Sequence, residues 1–323
     1  MDADKKSLQT RLHTATRVQH TDLNRTILAR LPLCLPPHTS SPEAYYLGLL
    51  LFSHIYTTLE QTTHEILQNT ATSSRTRSIL SPLQTPRLAR STTLQHDLQR
   101  LLVRLHIPAH PPLVLRQAQT LTAPVAAAIT AKPHLALAYA WTMYLALFNG
   151  GRHIQRALIS QTPTHPHFWT GDDDQTTSST SDPALASNYL TFWHFDSPVP
   201  NAEDIKSAFK QRLDTSSQLL TATEQDEVAD EGARCFELCA RMIAWLDGYM
   251  LSMTPRGHPE YQHQHQQQKQ EQQQQQQQQQ KQEEQTRQQQ DRTAYTTPSH
   301  ALSLLSRWWA QSRIQTIRPN AST

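Results

Sequence analysis

The stretch AYAWTMYLALFNGGRHIQRAL, residues 138–158, decides the fold. From Leu135 to Phe148 every residue is apolar except Thr142. That run falls short of the roughly 20 residues of a usual membrane span and reads better as a buried helix. It leads directly into Asn149-Gly150-Gly151, and a single helix is predicted over 134–160. Each glycine inside a helix costs about 0.5–1 kcal/mol relative to alanine. The chain has only 7 glycines, so two adjacent ones here mark a special place. Paired glycines permit a kink and let the backbone approach something flat and bulky. Close helix–helix packing explains them equally well.

Outward from this segment the pattern remains helical. Leu8 to Leu31 reads as a first amphipathic helix, ended by Pro32 and the Pro36-Pro37 pair. A second helix starts at Pro42 and runs to about Leu67. Its Tyr45, Leu49, Phe52, Tyr56, Leu59 and Ile66 recur at helical spacing and predict one long buried stripe. Polar residues fill 69–79. Further helices are predicted at 86–105, 113–130, 201–222 and 224–253, with an exposed loop over 161–186. The fold class is therefore all-α, a multi-helix domain covering residues 1–255.

Beyond Pro255 the composition changes. Twenty of the twenty-nine residues in 262–290 are glutamine, too few apolar groups to bury a core, so 256–297 reads as a disordered linker. Residues 298–323 form a short basic tail with Leu302, Leu305, Trp308, Trp309 and Ile314, and no acidic residue follows Asp291. An amphipathic helix over 298–317 would suit either peripheral membrane contact or docking on protein. The net charge of +2 gives no sign of a nucleic-acid partner. Cys34, Cys235 and Cys239 cannot build a disulfide framework and read as core residues in a reducing compartment. The opening residues MDADKKSLQT contain no apolar signal segment, so a cytoplasmic protein is expected, free or peripheral on an intracellular membrane.

On the first helix, His13, Arg17 and His20 stand at i, i+4 and i+7 and share one stripe beside Leu12 and Leu23. A histidine there could ligate a metal while its basic neighbours meet an anion. Surface histidines of no special role fit that pattern as well.

Together these features resemble a known family. LHTATRVQHTDLN (12–24) resembles the proximal helix of haem oxygenases, and FSHIYTTLE (52–60) their His-Ile-Tyr-x-x-Leu-Glu stretch. LQTPRLARSTTLQHDLQRL (83–101) matches a third family segment, and residues 138–158 resemble the distal helix, whose glycines bend over the haem face. NYLTFWHF (188–195) and AFKQRL (208–213) resemble the Phe-rich turn and the basic helix that follows it. The match runs in order over roughly residues 8–250. It implies a bundle with haem between a proximal helix and a kinked distal helix, and an enzyme that cleaves haem to biliverdin, iron and CO using oxygen and an electron-donating reductase.

By the same resemblance His20 is the axial iron ligand, and His13, Arg17 and Lys210 meet the haem propionates. Gly150 and Gly151 lie over the distal face, and Tyr56 keeps a tyrosine of the distal network. Arg212 lies two positions from a family arginine whose place is taken by Asp214. The departures lie on the distal side. Leu147 stands where the family has an Asp, Ala146 replaces a glycine, Met143 an arginine and Cys239 an asparagine. Leucine neither holds an ordered water nor relays a proton. A non-enzymatic haem sensor or carrier on the same fold is therefore the alternative expectation, and a helical scaffold with a filled cavity a third.

Overall fold

The computed structural model describes residues 7–160, 164–165, 167–170 and 186–253. The glutamine-rich linker, the basic tail and much of the 161–186 loop lie outside the described residues. Among the described residues there are helices and no strand, as the all-α reading requires. None of these helices is long and apolar enough to cross a membrane.

Helix α1 (Leu8–Arg30) begins at Ser7, whose hydroxyl accepts the Thr10 N–H at 3.3 Å. It buries Leu8, Leu12 and Thr16 and lies along the last of the described helices, α10 (Ala222–Met253). Gly232 sets how close the two come. A Cβ there would stand 2.7 Å from Leu12 Cδ2 and 3.3 Å from Thr16 Cγ2, so a larger residue would push them apart.

Helix α2 (Glu43–Gln68) runs through the middle of the bundle. It buries more than the expected stripe. Tyr46, Leu47, Leu50, Leu51 and Ile55 are buried as well as Tyr45, Leu49, Tyr56 and Leu59, while Phe52 and Ile66 are only partly buried. A helix with neighbours on several sides has no single apolar face.

Helix α3 (Ser74–Leu80) falls in the polar segment 69–79 that carried no helical prediction. Ser73 caps it through the Thr76 N–H, and Ile79 and Leu80 anchor it, but seven residues are too few to show a period. Helix α4 (Ser91–Arg104) starts later than predicted, because the chain from Gln84 to Arg90 makes turns instead. Helix α5 spans Pro112–Ala131.

The predicted 134–160 helix is interrupted. Helix α6 (Ala136–Ala146) passes through a π-helical turn, Leu147–Gly151, into α7 (Arg152–Ser160). The glycine pair ends that turn. A π turn widens the helix by one residue and is often found where a helix must deform at a functional position. After the short α8 (His167–Thr170), α9 (Glu203–Ser217) leads into α10.

Candidate functional site

The π-turn side is braced from behind. A short 3-10 turn, Thr191–Trp193, is gripped at its start by the fully buried Asp97. That carboxylate accepts the Thr191 N–H at 3.1 Å, the Phe192 N–H at 2.8 Å and the Thr191 hydroxyl at 2.5 Å. Burial pushes the Asp97 carboxyl above its ordinary range, and these hydrogen bonds act against that shift.

At the other end Arg90, 4 % exposed, donates to the carbonyls of Phe192 and His194 at 3.4 and 2.7 Å. It also donates to the carbonyls of Arg87, Leu88 and Ala89, and its guanidinium lies 4.2 Å from the centre of the Phe195 ring. Desolvation lowers its pKa from the usual arginine value. Glu60 accepts the N–H groups of Arg90 and Ser91, at 2.7 and 3.1 Å, and the hydroxyls of Tyr144 and Ser91.

This brace sets rings against the π turn. Trp193 donates its indole N–H to the Tyr45 hydroxyl at 2.9 Å. Its ring lies so near Gly151 that a Cβ there would stand 3.2 Å from it. Phe195 stacks on Phe148 with centroids 4.3 Å apart. Gly151 is therefore a packing glycine. Gly150 differs: a Cβ on it would meet nothing within 4 Å, and both it and Asn149 are exposed.

Tyr56 is buried and donates its hydroxyl to the Met143 carbonyl at 3.1 Å, one turn before the π segment. Burial, with Cys239 and Cys235 nearby, drives its pKa well above the ordinary tyrosine value. Leu147 is 4 % exposed and belongs to the core. Cys235 and Cys239 are free and buried. The Cys235 thiol, hydrogen-bonded to Cys239 and desolvated, is held far above its usual pKa.

The outer face of α1 is open. His13, Arg17 and His20 are exposed along one stripe of α1. His20 meets the edge of Phe236 on α10, with ring centroids 5.7 Å apart and planes at 77°. Among the described residues no hydrogen bond or ion pair engages the side chains of His13, Arg17 or His20; the Arg17 carbonyl accepts the Thr21 hydroxyl at 2.9 Å. Lys210, half-buried on α9, lies near the start of α1, where Gln9 donates to the Lys210 carbonyl at 3.5 Å and to Asp214 at 2.7 Å. Arg212 is turned away and donates to the Thr85 hydroxyl.

Helix α10 connects the two sides. Phe236 touches His20, and Cys239, three residues on, lies near Tyr56. The structure thus sets Tyr56 and His20 against one helix, ranges His13 and Arg17 beside His20 on α1, and leaves the glycine pair on the π turn, packed through Gly151 on Trp193. The sequence reading held Arg90, Asp97 and Trp193 only as members of matching segments, without a role, and did not single out Phe236. Their signal was weak. An arginine in a polar run and an aspartate in an amphipathic helix look like surface residues until the turn at 191–193 is seen to need partners.

These residues suit a flat, dianionic iron porphyrin. An exposed imidazole without a hydrogen-bond partner is the right donor for iron. The guanidinium, imidazole and ammonium groups of Arg17, His13 and Lys210 can meet carboxylates. Open space over Gly150 leaves room for a ring face.

A family model described as Heme oxygenase matches residues 6–244, most of the chain. The fold is similar to heme oxygenase-2 from Synechocystis in complex with heme and NO, with TM-score 0.55 and 18% identity over 77% of this chain and 88% of that one. It is also similar to Synechocystis heme oxygenase-1 in complex with heme, with TM-score 0.53 and 16% identity over 76% and 95% of the two chains. Heme oxygenase 2 from Chlamydomonas reinhardtii gives TM-score 0.52 and 20% identity over 74% and 97%. No curated protein matches the sequence. The chain belongs to the heme oxygenase family.

Proposed function

We propose that this chain binds one haem through His20, with the Gly150-Gly151 turn over the opposite face, and that it acts as a haem oxygenase releasing biliverdin, iron and CO. An electron-donating reductase would be its partner. The observations that carry the reading are an exposed imidazole on α1 without a hydrogen-bond partner, set against Phe236 of α10, and an exposed, uncrowded glycine on a π turn. Bound haem would supply the iron that binds and reduces oxygen, and the porphyrin edge that is oxidised.

The chain's own residues do the rest. His20 offers one ring nitrogen to iron and leaves the other side free. Arg17, His13 and Lys210 orient the carboxylate edge. Phe236 sets the rotation of the His20 ring, and Trp193 on Gly151 keeps the π turn in position. On titration with haemin, the full chain should take up one equivalent and develop a Soret band. His20→Ala should change the ferric spectrum and weaken binding, while His153→Ala should not. An unchanged His20→Ala spectrum would show that the ligand lies elsewhere.

A second reading, haem binding without cleavage, is favoured by Leu147. Its side chain is buried, and the Tyr56 hydroxyl is already occupied by the Met143 carbonyl. Neither group is arranged to hand on a proton. An ascorbate-driven turnover assay separates the readings. Leu147→Asp should cost a few kcal/mol of stability, because it buries a carboxylate, and speed biliverdin formation. If the wild type binds haem without cleaving it, and Leu147→Asp is equally inert, the protein is a haem carrier or sensor.

A further inference from the structure

A cavity of about 310 Å³ lies behind the distal helix, between α2, α6 and the turns over 81–89. Leu59, Leu83, Pro86 and Ala140 give it apolar sides. Thr63 and Tyr144 are buried at its inner end, while His64, Gln84 and Ala89 are exposed at its mouth. None of the residues assigned to haem lines it.

Its polar groups fall into two sets. Glu60 has no capacity left, since its two oxygens already accept four hydrogen bonds from Arg90, Ser91 and Tyr144. The others keep capacity. Thr63 is 3 % exposed, and its Oγ1 has no hydrogen-bond partner. A buried hydroxyl left unpaired is costly. Threonine in a helix has two accessible χ1 rotamers, so this hydroxyl can turn to a bound group without breaking a bond. Tyr144 donates to Glu60 and retains an acceptor lone pair. At the mouth, Gln84 Nε2 lies 3.4 Å from His64 Nδ1, which leaves the Gln84 carbonyl as an acceptor. Thr85 accepts from Arg212 and can still donate.

From the cavity, the unpaired Thr63 hydroxyl and this mixed rim we infer that the chain has a second small-molecule site, which takes a neutral, flat heterocycle or arylamide. Charged ligands are disfavoured. An anion would enter beside the Glu60 carboxylate, and a cation would find that carboxylate saturated and Arg90 next to it. The lining offers both donors and acceptors between apolar sides, as an amide-edged ring requires. The site is independent of haem, although Tyr144 lies three residues before the π turn.

The test uses the full chain and ligand-observed NMR with nicotinamide, benzamide and uracil as probes, and benzoate and benzamidine as charged controls. At least one neutral probe should bind, and both charged controls at least tenfold more weakly than benzamide. Thr63→Val keeps the shape and removes the hydroxyl, and it should weaken binding about fivefold. Ala140→Leu fills the cavity and should abolish binding. Thr63→Val should leave haemin uptake unchanged, which separates this site from the haem proposal. Absence of binding by every neutral probe, equal binding to both variants, or equal binding of benzoate would each overturn the assignment.

Discussion

Two regions of the molecule, the π turn with its backing and helix α1, are built on opposite plans. The first is cross-linked: Asp97 and Arg90 hold the two ends of one three-residue turn, and that turn sets Trp193 against Gly151 and Phe195 against Phe148. The second is a single helix lying on α10, and its chemically useful groups point into solvent. Side chains meant for a ligand must keep their hydrogen-bonding capacity. A bent helix must be kept from straightening. One side therefore puts its polar groups into structure, and the other holds them in reserve.

The contrast fails if the brace can be removed at little cost. Arg90→Met would leave five backbone carbonyls without their guanidinium donor. Urea denaturation should show a loss of about 3 kcal/mol. A loss below about 1 kcal/mol would mean that the turn holds itself.

The plan of α1 is tested at Gly232. Gly232→Ala adds a methyl 2.7 Å from Leu12 Cδ2. Overpacking of this kind costs about 1–3 kcal/mol, and the better helix propensity of alanine offsets part of it. A net destabilisation of about 1 kcal/mol by thermal melting is expected, with weaker haemin uptake as α1 moves. A stabilised variant would show that α1 yields freely.

The smallest effect should come from an exposed arginine, which sharpens the difference from the buried one. Arg75 donates to both oxygens of Glu224 at the start of α10, and with the Thr221 groups this holds the carboxyl at about 2. A depressed carboxyl stabilises the fold above its ordinary value near 4.5, and that contribution disappears as pH falls from 4.5 toward 2. Because the pair meets solvent, Glu224→Gln should cost less than about 1 kcal/mol at pH 7 and flatten the stability profile in that acid window. A loss as large as that of Arg90→Met would erase the distinction between buried and exposed braces.

How much of this was legible in the sequence follows the same division. The limits of α1 and the stripe of His13, Arg17 and His20 were plain, because a one-sided helix shows its period. The glycine pair announced a bend but not its form. A π turn depends on what presses from behind, and Trp193 lies more than 40 residues further along the chain. Helix α3 was hidden because it is too short to repeat. The width of burial on α2 was underestimated because a helix packed on several sides shows no clear polar face.

Helix α1 stands on a partner made more than 200 residues later. His20 meets Phe236, and Leu12 meets Gly232. On a ribosome adding about 5–20 residues per second, α1 waits roughly 10–40 s for that partner. Contacts so distant along the chain also form slowly. In those seconds α1 has no place to dock, while the α2 face that will receive α5 is paired after half that delay or less. The face of α1 that carries His20 is therefore completed last, and a chain stopped before α10 would carry His20 on a helix with no floor beneath it.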